Sequence, residues 1–255
     1  GLIAGVETLD EYVFEKAPKL KAIARVGIGL ENIDLISAKK ACIKVSNTPD
    51  GPTDSVSELT ITAALVLTRN IITANNLMHK KQWKKSVSNG LKNSIVFIVG
   101  FGRIGQKVAY LFKILGSKIF VYDPFIETSN IDKDINFLTK LEEGLKIADI
   151  ISLHASGDST ILGDLEFNLM KKGVIILNPS RGNLLNEASL INAMNKKIVA
   201  SAWIDVFKEE PYDGELTNYS QVLLTPHLST YSAPCRKQME MEAVLNILND
   251  LSINK

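Results

Sequence analysis

The chain has 255 residues, 45% hydrophobic and 22% charged, enough apolar material to bury a sizeable core in one large or two modest domains. Its 29 Lys and Arg against 28 acids leave a formal charge of +1, so no basic field argues for nucleic acid or an anionic membrane. No apolar run reaches the ~18 residues of a membrane span, and the start, at Gly1, shows no secretory-type leader. Cys42 and Cys235 have neither metal-ligand spacing nor a disulfide framework. They are expected to be inert packing residues in a reducing cytoplasm, with no metal site.

Taken in chain order, strand-like runs at residues 2–6, 22–26 and 42–46 alternate with helix-like stretches at 9–16 and 33–40. One long amphipathic helix is expected from residue 53 or 54 to about 80. It leads to Lys80, Lys81, Lys84 and Lys85 around Trp83, a solvated face beside a half-buried aromatic, with His79 facing solvent. Strand 95–99, helix 103–115 and strand 118–122 follow. Strands at 150–153, 174–177, 198–202 and 222–224 then alternate with helices at 139–148, 161–170 and 187–195. Gly116 and Gly173 are placed as helix C-caps, and residues 232–251 form a final long helix. Such alternation means an α/β fold with a doubly wound parallel sheet, the Rossmann arrangement, and a second, smaller α/β domain. The domain boundaries are expected at 1–75 with 230–255, and at 76–229, the chain crossing over and back.

The run Ile95-Val96-Phe97-Ile98-Val99 empties into Gly100-Phe101-Gly102-Arg103-Ile104-Gly105, and Asp123 ends the next apolar run eighteen residues after Gly105. This is the layout of a dinucleotide-binding βαβ unit. Gly100 allows the turn, Gly102 the approach of a pyrophosphate, and Gly105 close packing of helix on strand, while the helix N-terminus attracts the phosphates. Asp123 is positioned to accept hydrogen bonds from the adenosine ribose and to repel a 2′-phosphate. Pro124-Phe125-Ile126-Glu127 offers no cation to receive one. The cofactor is therefore NAD rather than NADP.

Ligands of a doubly wound sheet bind beyond the carboxyl ends of the strands. Here those ends carry Gly100, Asp123, His154, Asn178-Pro179-Ser180-Arg181, Asp205 and Thr225-Pro226-His227. Hydride transfer on a hydroxy or keto acid needs a cation for the carboxylate, a general acid/base for the hydroxyl proton and a partner for that base. An arginine fork suits the first. Glu209 or Glu210 could supply the third, since a carboxylate beside a histidine favours its protonated form.

These residues resemble the D-isomer-specific 2-hydroxyacid dehydrogenases. Residues 24–34 look like that family's substrate loop, and Asn47-Thr48-Pro49 through Ser57-Glu58 like its second loop and hinge helix. Asn178 to Gly182 with Asn186-Glu187 look like its arginine motif, Asp205-Val206-Phe207 with Glu210-Pro211 like its glutamate motif, and Thr225-Pro226-His227 like its histidine motif. The resemblance implies that Arg181 binds the substrate carboxylate and carbonyl oxygen, His227 exchanges the hydroxyl proton and Glu210 orients and charges His227. Backbone N–H groups at Val26, Gly27, Ile28 and Gly29 would grip the carboxylate, with Arg25 a phosphate partner. Arg103, Ile104, Asp123, Ala155, Pro179 with Ser180, Asp205 and Ser229 would contact NAD, and His154 would border it.

The family also implies a flavodoxin-like second domain, here shortened at its N-terminus, and a homodimer through the dinucleotide-binding domain. The activity implied is hydride transfer between nicotinamide and a small-molecule D-2-hydroxy or 2-keto acid. D-3-phosphoglycerate, of serine biosynthesis, is the leading substrate on the loop Thr48-Pro49-Asp50-Gly51. Hydroxypyruvate, glyoxylate and branched 2-keto acids are alternatives, as are an NAD-sensing corepressor and a non-catalytic NAD-binding fragment. Residues 155–159, Glu31 and Ser57 depart from the family pattern.

Overall fold

Uninterrupted apolar runs become strands covered on both faces, and the capped amphipathic stretches between them become helices. A computed structural model describes residues 1–126 and 134–252. In chain order its elements are β1 (Leu2–Ala4), α1 (Glu11–Lys16), β2 (Ala22–Arg25), α2 (Leu35–Lys40), β3 (Lys44–Asn47), α3 (Pro52–Thr68) and α4 (Ile71–His79). Then come β4 (Ile95–Val99), α5 (Arg103–Ile114), β5 (Lys118–Tyr122), β6 (Ile135–Phe137), α6 (Leu141–Ile147), β7 (Ile150–Leu153) and α7 (Asp164–Leu169). Last are β8 (Val174–Asn178), α8 (Glu187–Asn195), β9 (Val199–Ile204), β10 (Val222–Leu224) and α9 (Ala233–Ser252).

The chain divides into two compact units, Gly1–Ser55 with Thr230–Lys255, and Val56–Ser229. The first boundary thus falls twenty residues earlier than the expected 75/76. The cause is α3: its Ala63 and Ala64 are buried in one cluster with Val96, Ile98 and Phe112, so most of the helix belongs to the second unit. The single helix expected over residues 53–80 is also two helices, bent by 61°. Asn70 sits between them at φ 52, a left-handed conformation that asparagine tolerates. Beyond the bend α4 is largely exposed. No residue of α4 is buried, and Trp83 is 76% exposed, not half-buried as expected.

The larger unit is built on seven parallel strands in the order β10-β9-β8-β7-β4-β5-β6. Period-two alternation splits β4 between two cores: Phe97 and Val99 join Leu145, Ile151, Phe167 and Leu190 on one face, while Val96 and Ile98 join Val108, Phe112 and Trp203 on the other. Each fully buried aromatic or aliphatic side chain of this kind contributes about 1.5–3 kcal/mol. Strand order reverses between β4 and β7, both neighbours in the sheet, and the crevice beyond their carboxyl ends is where such a sheet binds ligands. Gly116, at φ 86, follows the C-cap of α5 as expected, whereas Gly173 lies in a turn three residues past Met170, the C-cap of α7.

The smaller unit has three parallel strands in the order β1-β2-β3 around Leu9, Phe14, Ile23, Ile33, Ala38 and Ile43. Asp10 caps α1 by accepting from the Val13 amide at 3.1 Å. Asp34 caps α2 by accepting from Ser37 and Ile36 at 3.0 Å each, and the Ser37 hydrogen bonds hold its carboxyl below the usual carboxylate range. Helix α9 buries Cys235, Met239 and Ala243. Burial pushes the Cys235 thiol up. Cys42, expected in the packing, is instead exposed at φ 56. Among the described residues no single helix is long and apolar enough to cross a membrane, and no group of three or more side chains could hold a metal.

Candidate active site

The turn after β4 is shaped by contacts that only glycine permits. Gly100, at φ 92, has Ala155 N 2.4 Å from where a Cβ would stand, and a Cβ on Gly105 would fall 2.2 Å from the Gly100 carbonyl oxygen. Helix α5 is thereby seated directly on the strand end. Its hydrogen-bond ladder begins with the Gln106 N–H donating to Gly102 O at 2.9 Å. At Gly102 a Cβ would meet nothing within 4 Å. The result is an open cradle in front of a helix N-terminus, the geometry that receives a pyrophosphate.

At the tip of β5, Asp123 accepts from the Phe101 N–H at 2.7 Å and the Phe125 N–H at 2.9 Å. These bonds aim the carboxylate and use two of its roughly four lone-pair sites, leaving capacity for a ribose diol. Pro124, Phe125 and Ile126 bring no cation there, while Glu127 lies outside the described residues. Cradle and carboxylate together fit a dinucleotide without a 2′-phosphate. Arg103 and Ile104 open α5 at the cradle.

His154, one residue past β7, has Nε2 2.7 Å from Ser152 Oγ, and burial pushes its pKa down to about 3. It is therefore uncharged at neutral pH. Ala155 lies against Gly100. Beyond β8, Pro179 is buried, Ser180 Oγ donates to Leu153 O at 3.0 Å, and Asn178 Nδ2 donates to the Arg181 carbonyl at 2.9 Å, shaping the turn that presents Arg181. One Arg181 Nη1 bond goes to Ser180 O at 2.8 Å.

Arg181, Glu210 and His227 stand on the loops leaving β8, β9 and β10, three adjacent strands. His227 Nδ1 lies 2.9 Å from Glu210 Oε2, both side chains partly exposed at 48% and 37%. Glu210, and not Glu209, makes this contact. Its other oxygen, Oε1, accepts from the Phe207 N–H at 2.9 Å, which fixes the carboxylate plane. With Nδ1 engaged, Nε2 is the ring nitrogen left to act on a ligand.

Asp205, implied as a cofactor contact, has its carboxylate engaged within the protein. Its side chain is fully buried; Oδ1 accepts from Thr225 Oγ1 and from the Leu228 N–H at 3.0 Å, and Oδ2 from the Ser229 N–H at 3.0 Å and the Ser229 hydroxyl. The Asp205 carbonyl accepts from the His227 N–H at 2.8 Å. The carboxylate therefore clamps the turn that holds His227 at φ 50, and Ser229, also buried, is one of its donors. Trp203 Nε1 donates to Thr225 Oγ1 at 2.8 Å, extending the clamp into the core. Trp203 does not stand out as a functional residue in the sequence, where an indole in a strand reads as core, and Thr225 enters there only as the first residue of the Thr225-Pro226-His227 motif.

In the smaller unit the loop after β2 offers less than the sequence implies. The Val26 N–H donates to Ala4 O at 2.9 Å and the Gly27 N–H to Thr48 Oγ1 at 2.7 Å. Of the four loop amides at Val26, Gly27, Ile28 and Gly29, those of Ile28 and Gly29 have no acceptor among the described residues. Arg25 folds over this loop: Nη1 donates to Val26 O at 3.1 Å and lies 1.4 Å from where a Cβ of Gly27 would stand. Elsewhere, a cavity of 540 Å³ opens at the amino ends of the larger sheet's strands, bounded by Asn70, Lys92, Asp149 and Lys171, the edge opposite His227.

Fold and site define a nicotinamide-dependent dehydrogenase, and comparison with known proteins agrees. The family model for the D-isomer specific 2-hydroxyacid dehydrogenase NAD binding domain matches residues 61–229. A glyoxylate reductase of Thermococcus litoralis is 35% identical over 95% of this chain and 77% of its own length. A D-3-phosphoglycerate dehydrogenase of Mycobacterium bovis is 34% identical over 91% of this chain, which spans only 45% of that relative. The structure of D-lactate dehydrogenase with NAD+ from Lactobacillus jensenii is similar at a TM-score of 0.85 and 27% identity, over 98% of this chain and 83% of that one. The chain belongs to the D-isomer specific 2-hydroxyacid dehydrogenase family, with NAD as its cofactor.

Proposed function

We propose that the protein interconverts a 2-keto acid and the D-2-hydroxy acid, with D-3-phosphoglycerate and its keto form as the physiological pair. The observation that carries this is the Glu210–His227 pair at 2.9 Å, on the loops leaving β9 and β10, with Arg181 on the loop of β8, the next strand in the sheet. Bound NAD would supply or take up the hydride; the glycine cradle would hold its pyrophosphate and Asp123 its ribose. Arg181 pairs with the substrate carboxylate through its planar fork. His227 Nε2 gives a proton to the carbonyl oxygen in reduction and removes it from the hydroxyl in oxidation. Glu210, bonded to Nδ1, keeps Nε2 directed outward and offsets the imidazolium charge.

Arg25 supports a phosphorylated substrate, because a guanidinium on a substrate loop matches a phosphate in charge and geometry. A second reading, glyoxylate or hydroxypyruvate reduction, is favoured by the Thermococcus litoralis relative at 35% identity. NADH oxidation with phosphohydroxypyruvate, hydroxypyruvate, glyoxylate and 2-ketoisocaproate separates them. Preference for the phosphorylated acid, lost in Arg25→Ala, supports the first reading; equal use of glyoxylate by both proteins supports the second. NADH binding with no turnover of any acid would leave a non-catalytic NAD-binding protein.

The setting proposed is serine biosynthesis in a reducing cytoplasm, in keeping with two cysteines that form no disulfide. We also infer a homodimer through the dinucleotide-binding unit. Its support is the run of exposed apolar residues Ile71, Ile72, Met78, Trp83 and Val87, larger side chains than a monomer leaves uncovered together.

A further inference from the structure

The loop that carries Arg181 and the turn that carries Glu210 have to keep a fixed relation, since one would hold the substrate and the other the proton-transferring histidine. Their backbones touch: a Cβ on Gly182 would fall 2.1 Å from the Phe207 carbonyl carbon. Phe207 in turn donates its N–H to Glu210 Oε1. The Phe207 ring is stacked on Tyr212, centroids 4.1 Å apart and planes within 17°. Tyr212 closes the circuit. Its hydroxyl donates to Glu187 Oε1 at 2.7 Å and accepts from the Leu216 N–H at 3.0 Å. Glu187 is the first residue of α8, the helix into which the Arg181 loop leads.

We propose that Tyr212 and Glu187 are positioning residues that lock the Arg181 loop to the Glu210 turn, so that the Glu210–His227 pair keeps its geometry relative to Arg181. The inference rests on the roles proposed above for Arg181, Glu210 and His227. Burial, together with the Glu187 hydrogen bond, pushes the Tyr212 phenol up to about 12, so it stays a donor through neutral and mildly alkaline conditions. The stack alone leaves Tyr212 free to slide across Phe207. The hydroxyl bond fixes where it stops, and a shift of about 1 Å in supporting structure is enough to cost ~10²-fold in rate.

The test uses the whole chain and four variants. Tyr212→Phe keeps the stack and removes only the hydroxyl; Glu187→Ala removes its acceptor; Glu187→Gln keeps an acceptor oxygen; the double variant combines the first two. The lock predicts about a tenfold loss of kcat in Tyr212→Phe and in Glu187→Ala, with KM for NADH within twofold of wild type. It also predicts near-normal kcat in Glu187→Gln, and a double variant no slower than the slower single, because one interaction is lost only once. Wild-type kcat in both single variants, with only a lower Tm, would reduce the pair to a structural hydrogen bond and overturn the proposal. NMR shifts of the His227 ring nitrogens give a second readout that needs no turnover. In Tyr212→Phe they should move toward those of Glu210→Gln; shifts identical to wild type reject the lock. If the wild-type chain turns over no keto acid, the proposed reaction fails, and the nitrogen shifts still decide the lock by themselves.

Discussion

Two glycines of one motif are expected to fail in opposite ways when each becomes alanine. At Gly105 the new methyl would sit 2.2 Å from the Gly100 carbonyl oxygen, about 1 Å inside an ordinary contact distance. The backbone oxygen cannot swing away, because the Gly100 N–H is tied to Tyr122 O at 2.9 Å. Helix α5 must therefore lift from β4. Overpacking of this kind costs roughly 1–3 kcal/mol, or about 3–10 °C in Tm for a unit of this size. At Gly102 the same methyl meets nothing within 4 Å, and the backbone lies at φ −68, so the fold loses only the modest preference of an N-cap for glycine over alanine, up to about 1 kcal/mol. That methyl occupies the space assigned to the pyrophosphate, so NADH affinity should fall at least about tenfold, roughly 1.4 kcal/mol. Thermal unfolding and NADH fluorescence titration read the two effects separately. Gly102→Ala with wild-type NADH affinity would refute the placement of the cradle. Gly105→Ala with unchanged Tm would refute the packing argument.

Replacing Asp123 with Ala should weaken NADH at least about tenfold and narrow the preference for NADH over NADPH, measured as the ratio of kcat/KM values; an unchanged ratio would deny it the ribose role. His154 should make stability depend on pH. Its folded pKa, about 3, lies below the ordinary 6.5, so the unfolded chain binds the proton more readily. The contribution is fully present above pH 6.5 and is lost as pH falls toward 3, at on the order of 1 kcal/mol per pH unit. Urea unfolding at pH 7.5 and 5.5 should show a smaller difference for His154→Gln than for wild type. For the dimer, Ile71→Asp with Trp83→Asp should halve the mass seen by light scattering at micromolar concentration, and an unchanged mass would move the interface elsewhere.

Much of the larger unit is legible in the sequence because its strands are buried on both faces. Runs such as Ile95–Val99 and Ile150–Leu153 contain almost nothing that tolerates water, and their bounds in the structure are those read from composition. Strand β6 escaped notice because Ile135–Phe137 is three residues long and pairs on one side only, with β5. The bend at Asn70 is a choice of one φ angle, which no periodicity records. The site was legible as residue types at strand ends, and the choice between Glu209 and Glu210 needed the resemblance; the structure brings Glu210 to His227. Which hydrogen-bonding capacity is already used inside the protein was not legible at all. The Asp205 carboxylate is consumed by the His227 turn, and the Val26 and Gly27 amides by Ala4 and Thr48. Such partners lie 20 to 24 positions away in sequence, where spacing gives no signal.

The most direct measurement is steady-state reduction of phosphohydroxypyruvate and glyoxylate by NADH in wild type and His227→Gln, with NADH affinity determined for both. A positioned general acid contributes typically 10²–10⁴-fold. The account predicts that kcat on the preferred acid falls by at least about 10²-fold in the variant while NADH affinity stays within about twofold. Turnover in His227→Gln close to that of wild type would contradict it, and the proton would have to come from a group other than His227.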